Sequence, residues 1–230
     1  MLYKNKGIYK GAGIYKAGGN NFPVGYTKYD WIKVNPDNWD PNFTSCYLWL
    51  PIGNAVTNEN TSFIVEYETY LNEYNNSYIL TTANNPGGNF GNDGIKMQLR
   101  RQSNTNGGFR YVANTIGAFP GAIDLQLVYG VNRVELKNAT IKANGIQIYN
   151  NPNIYNVVNI SGKYISTLSD SKTNQKIYNV QILKDDVVIY DYYPCTRDND
   201  GVIGFLDIVN NYFVRNQAQD ENLRYLVGNG

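Results

Sequence analysis

From about residue 60 onward the chain alternates apolar and polar side chains in short runs, each closed by turn residues. Residues 62–71 set the pattern, with Phe63, Val65, Tyr67 and Thr69 on one face of an extended segment. Successive side chains of a strand point to opposite faces, so this period predicts a strand with one buried side. Asn75 and Asn76 mark a turn, and residues 78–80 and 95–99 bracket a loop that carries Asn84-Asn85-Pro86-Gly87-Gly88. Residues 109–112 follow the turn signal Asn106-Gly107-Gly108. Residues 132–137 alternate cleanly, and residues 141–143 and 146–149 flank Asn144-Gly145. That dipeptide favours a two-residue hairpin turn, because both central positions need positive φ. Residues 176–183 alternate again, Lys184-Asp185-Asp186 turns the chain, and residues 187–193 return it. No window carries a long 3.6-residue period. Many short strands separated by turns predict an all-β sandwich or barrel.

The first sixty residues follow other rules. Gly7-Ile8-Tyr9-Lys10-Gly11-Ala12 is followed by Gly13-Ile14-Tyr15-Lys16-Ala17-Gly18, a repeat of Gly-Ile-Tyr-Lys plus two small residues. Two copies are too few for a solenoid, and the glycines disfavour a free helix. Recurrent Ile and Tyr are unusual in a disordered linker. The segment reads as an extended arm that orders against a partner through Ile8, Tyr9, Lys10, Ile14, Tyr15 and Lys16; the other reading is a strand or loop laid on its own domain. Residues 1–20 are therefore taken as a docking arm and residues 21–230 as one domain. Within the latter, residues 20–60 are rich in Asn, Pro, Asp and Trp and read as irregular structure, with a short apolar piece, Cys46-Tyr47-Leu48-Trp49-Leu50, before Pro51.

Composition supports many strands and many turns. The chain has 230 residues, enough to bury a core without disulfides or metals. It holds 21 Tyr and 35 Asn, the first suited to pleated surfaces and the second to turns. The net charge of +1 gives no basic patch for nucleic acid, and no apolar run is long enough to span a membrane. The N-terminus has no apolar core of a secretory signal, so the sequons at Asn60, Asn138 and Asn159 read as chance products of an Asn-rich chain. Cys46 and Cys195 read as two buried thiols, a disulfide remaining open if they meet. There is no histidine, which removes the commonest general base and the commonest zinc ligand.

Any catalysis must rest on carboxylates, Lys or Tyr. Glu66 and Glu68 share a strand face, as a glycosidase pair would, but no third acid stands near until Glu73, and a solvent-facing charged row explains them. Asp198-Asn199-Asp200-Gly201 resembles the start of a calcium loop but lacks the closing Glu; a turn explains it. Gly87-Gly88-Asn89-Phe90-Gly91 lacks the Lys-Ser/Thr of a phosphate-binding loop. Trp31, Trp39, Trp49 and the tyrosines could stack on sugar rings, or fill a core. No cofactor and no metal is expected, and the chain is not expected to be an enzyme.

The closing third is more specific. Residues 175–182 and 187–193 form a hairpin that continues into Pro194-Cys195-Thr196-Arg197. Asp200-Gly201-Val202-Ile203-Gly204-Phe205-Leu206-Asp207 and Tyr212-Phe213-Val214-Arg215-Asn216 follow. Proline should end the strand at Tyr193-Pro194, Cys195 suits a core position, Asp200-Gly201 a turn, Gly204 a bulge or close approach, and Asp207 a turn cap. This segment resembles the end of concanavalin-A-like (laminin-G-like) jelly-roll domains of bacteriophage structural proteins. The resemblance implies a concanavalin-like jelly-roll β-sandwich with an extended N-terminal arm. It further implies a virion structural protein, a capsid-decorating or head or tail fibre component assembled in the bacterial cytoplasm. Its partners would be capsid, portal or tail proteins and further copies of itself, with a trimer the form expected by analogy. A carbohydrate-binding module for host surface glycans is the alternative, and a polysaccharide-cleaving enzyme the third.

Overall fold

The computed structural model describes residues 22–35, 48–57, 61–69, 78–83, 97–101, 108–113, 123–126, 130–137, 140–150, 160–167, 176–215 and 225–229. They form an all-β sandwich of two antiparallel sheets. The large sheet runs β11 (Ile146–Asn150), β10 (Thr140–Ala143), β9 (Gly130–Lys137), β4 (Thr61–Thr69), β13 (Lys176–Lys184), β14 (Val187–Arg197), β15 (Ile203–Asp207), β16 (Tyr212–Arg215). Three more strands join it: β1 (Tyr26–Lys28) beside β14, β2 (Trp31–Val34) beside β13, and β17 (Tyr225–Gly228) beside β2. The small sheet runs β3 (Leu48–Thr57), β12 (Ile160–Thr167), β5 (Tyr78–Ala83), β6 (Met97–Arg101), β7 (Gly108–Ala113), β8 (Ile123–Gln126).

The connectivity is of the jelly-roll kind. The chain steps from β3 in the small sheet to β4 in the large one, and later from β12 to β13 in the same sense. β3 pairs antiparallel with β12, and β4 pairs antiparallel with β13. Two distant stretches thus run against each other through both layers, and a sequence separation of over a hundred residues is closed twice.

The core is the face of the large sheet that meets the small one. Its rows read Phe63–Leu136–Ile182 and Val65–Val134–Val180–Tyr192 across β4, β9, β13 and β14. All of these residues are at most 2% exposed, and each large one adds about 1.5–3 kcal/mol of burial. The hydroxyl of Tyr192 crosses to donate to the Pro51 carbonyl of β3. The expected face of Phe63, Val65 and Tyr67 is borne out. So is the Asn144-Gly145 hairpin, with φ of 52° and 83°.

The expectation that proline ends the strand at Tyr193-Pro194 fails. β14 does not end at Pro194 but continues to Arg197, and β3 runs through Pro51 to Thr57. Pro194 pairs with Phe205 of β15 on one side, while its carbonyl accepts from the Tyr29 amide on the other. N–H and C=O of one strand residue point the same way, so the missing amide faces Tyr29. That point lies between the pairings of β13 and β1, where the ladder asks for no donor. Residues 20–60 are also more regular than expected, since β1, β2 and β3 lie within them.

Beyond Pro194 the closing segment is built as its residues suggest. Gly201 turns the chain at φ 68°. Arg197 grips both oxygens of Asp200, which accepts from the Val202 amide at 3.2 Å. Asp207 caps its turn, accepting from the Val209 amide at 3.1 Å. A Cβ at Gly204 would sit 2.1 Å from the Val214 carbonyl oxygen and 2.9 Å from the Phe213 ring. Gly204→Ala is therefore expected to cost about 1–3 kcal/mol in urea unfolding, since the clash is with backbone and cannot relax. An unchanged midpoint would show that β15 and β16 part freely.

Candidate functional site

The face of the large sheet turned away from the small one is polar where a solvated sheet face should be, yet it is half-buried. Register partners share a face, which fixes its rows. One row is Arg133 of β9, Glu66 of β4 and Asn179 of β13. The next is Glu135, Ile64, Gln181 and Asp191, the last on β14. Tyr193 follows Asp191 two residues on, and Lys28 of β1 stands 4.1 Å from its ring centroid. These groups converge because of one extra residue. The register with β4 skips Tyr178, so Ile177 and Val180 both face the core although they are three apart. Asn179 and Gln181 thereby lie on the opposite face of the sheet from the core rows, Asn179 buried and Gln181 half-buried.

Asp191 is the centre of the hydrogen bonding. Its Oδ1 accepts from Asn179 Nδ2 at 2.8 Å and Gln181 Nε2 at 3.1 Å. The Arg133 guanidinium reaches Gln181 Oε1 at 3.4 Å. Burial pushes the Asp191 carboxyl above its usual range despite the two amides that oppose the shift. Burial also raises Glu66, against the pull of the Arg133 cation. The Tyr193 hydroxyl is raised as well, by burial first and by the Asp191 and Glu66 charges next.

Glu66 and Glu68 do share this face, but they are not a simple solvent-facing row. Glu68 accepts from the Tyr178 hydroxyl at 2.7 Å and pairs with Lys176 at 3.1 Å. Lys176 in turn lies 4.8 Å from the centroid of the Trp31 ring. Trp31 packs against Gly228 so closely that a Cβ there would meet the indole at 2.4 Å. Trp31 is thus a packed residue between backbone and cation, not an open stacking platform. Phe213 is covered likewise, by the Tyr26 ring at 5.5 Å and the Arg197 guanidinium at 5.1 Å.

The other candidates separate cleanly. Ile8, Tyr9, Lys10, Ile14, Tyr15 and Lys16 lie outside the described residues, as do Cys46, Trp39 and the glycine-rich residues 87–91. Asp198 and Asp200 serve the turn: Asp198 accepts from Thr27 Oγ1 at 2.7 Å and Asp200 is held by Arg197. Among the described residues no cluster of acids and thiols is arranged to hold a metal ion, and no helix is long and apolar enough to cross a membrane. Cys195 is a buried free thiol, its pKa pushed up to about 12 by burial. Arg133, Asn179, Gln181, Asp191, Tyr193 and Lys28 were not singled out in the sequence.

No family model and no curated protein matches this chain. Among solved structures it is similar to the galectin LEC-6 of Caenorhabditis elegans, with a TM-score of 0.37 and 10% identity over 59% of this chain and 89% of that one.

The raised carboxyls have a signed consequence. A group whose folded pKa exceeds its unfolded value stabilises the fold below the unfolded value, near 4, and that stability is lost as pH rises through the folded one. Glu66→Gln removes the loss. The variant should gain stability over the parent progressively from about pH 4 to pH 7, read by urea unfolding at each pH. A difference that stays flat across this range would show that Glu66 titrates as an ordinary carboxylate.

Proposed function

We propose that this chain is a non-catalytic binding domain, a structural component displayed on a bacteriophage virion, whose large sheet offers its outer face to a host surface glycan. The observation that carries the binding reading is the polar row in which half-buried Arg133, Glu66, Gln181 and Tyr193 surround buried Asn179 and Asp191. Amides, a guanidinium and carboxylates on a stiff sheet provide donors and acceptors at fixed spacing, which is what recognition of hydroxyl-rich ligands requires. The virion reading rests on the resemblance of residues 175–216 to phage jelly rolls. The arm of residues 1–20 docks to other virion proteins or to further copies.

One observation favours a second reading, cleavage of a surface polysaccharide. Glu66, raised by burial, stands two residues from Glu68, which is anchored by a cation; such divergent environments are how an acid and an anion divide their roles. Against it, Glu68 is already engaged by Lys176 and Tyr178.

The isolated domain should bind host-surface glycans on an array. Arg133→Ala should weaken binding at least about tenfold, the worth of one lost charge-assisted contact. Binding unchanged by Arg133→Ala, Asn179→Ala and Gln181→Ala together would remove this face from the account. Glycan cleavage abolished by Glu66→Gln or Glu68→Gln would replace the binding reading with the enzymatic one. Removal of residues 1–19 should leave a folded domain that no longer joins the particle.

A further inference from the structure

Asn144-Gly145 is the chemically most labile kind of dipeptide in a protein, and in this fold it is clamped. Glycine leaves the following amide nitrogen unshielded, so it can attack the asparagine side chain. The turn is exposed at both residues, so water and base have access. The carboxamide of Asn144 is nevertheless engaged at both ends on β9. Its Oδ1 accepts from the Arg133 amide at 2.9 Å, and its Nδ2 donates to Asn132 Oδ1 at 3.1 Å. Asn132 is fully buried and is itself anchored, donating to the Gly130 carbonyl at 3.1 Å. The Asn144 amide also donates to the Arg133 carbonyl at 2.8 Å. Both ends of the reactive carboxamide are thus held on β9.

We propose that Asn144 is a deamidation site gated by the Asn132 clamp, and that its conversion releases the β10–β11 hairpin from β9 in one direction only. When the hairpin opens, the Gly145 amide nitrogen attacks Asn144 Cγ. The N–Cγ bond forms, the Cγ–Nδ2 bond breaks, and Nδ2 leaves as ammonia with the amide proton. Water then opens the succinimide. Addition at Cγ gives aspartate, and addition at the backbone carbonyl gives isoaspartate with an extra methylene in the main chain. Neither product restores the clamp. A carboxylate has no hydrogen to offer Asn132 Oδ1, so two acceptors face each other beside a fully buried side chain. The isoaspartyl link also abolishes the two-residue turn that joins the strands. β11 and β10 are the last two strands at this end of the large sheet. Their release exposes β9 as a new edge and, among the described residues, withdraws only Ile141 and Ala143 from the core, leaving the rows across β9, β4, β13 and β14 in place.

The test follows conversion at Asn144 in the full chain in mildly alkaline buffer by peptide mass spectrometry, against the same chain unfolded in urea. Folded protein should convert at least about tenfold more slowly, the factor set by an opening cost of about 1.4 kcal/mol. Asn132→Ala should close most of that gap. Equal rates in folded and unfolded chain would overturn the gating. Should Asn132→Ala fail to fold, a urea series on the parent below its global transition serves instead: the rate should climb with urea, and a constant rate would overturn the opening step. Hydrogen exchange at the Arg133 amide, compared between converted and unconverted protein, tests the release. Faster exchange after conversion is expected, and identical exchange would sink it.

Discussion

The whole arrangement depends on the extra residue at Tyr178. β13 is the hub of the large sheet, paired along its length with β4 and with β14 and touching β2. A strand of strict period two would send Ile177 and Val180 to opposite faces. The bulge at Tyr178 shifts the phase, so Ile177 completes the core beside Tyr67 while Val180 and Ile182 complete it beside Val65 and Phe63. The same shift places Lys176 opposite Glu68 and Asn179 opposite Glu66. Core and candidate site are two consequences of one register change. Bulges re-aim side chains at a local cost in pairing, and here the displaced Tyr178 recovers part of that cost by donating to Glu68.

The sandwich handles its edges by similar means. β3 is a long strand without a single charge, LWLPIGNAVT, at the end of the small sheet. Such an edge invites pairing with other chains. Pro51 removes one donor from it, Tyr192 occupies the Pro51 carbonyl, and the pairing with β12 is irregular between Ala55 and Pro51. Proline, bulge and capping hydroxyl all fall within a few residues, which is how natural sheets blunt an edge without shortening it.

Much of this was legible from the sequence, and the failures share a cause. The turns at Asn144-Gly145, Asp200-Gly201 and Asp207 were legible because their chemistry is local: positive φ and a short side chain bonding to a nearby amide. The core face of β4 was legible because Phe63, Val65 and Tyr67 keep a period of two even though Ile64 between them is apolar and buried as well. The outer polar row was not, because Gln181 and Asp191 come opposite each other only through the register shift between Ile182 and Leu183, and Asn179 meets Glu66 only through the shift at Tyr178, both of which alternation within 176–183 hides. Pro194 was misjudged because whether a strand tolerates proline depends on its neighbour at that point, and the hand-over from β13 to β1 beside it is a fact of topology. The arm of residues 1–20 is legible as a repeat and no further.

Arg133 joins the two parts of the outer sheet that matter most. Its main chain is held by Asn144, which takes its amide and gives to its carbonyl. Its side chain extends over β4 to Gln181 and lowers the cost of ionising Glu66. A ligand that drew on the guanidinium would therefore act on a residue whose backbone is fixed by the hairpin turn. The positioning is stiff because an amide ladder supplies it rather than a rotamer. Chemical change at Asn144 would reach the polar row through that one residue, loosening the cation while leaving Asn179, Gln181 and Asp191 bonded to one another. Hairpin and polar row are thus coupled at a single residue, and the strength of that coupling is set by how firmly the Asn144 contacts hold the Arg133 main chain.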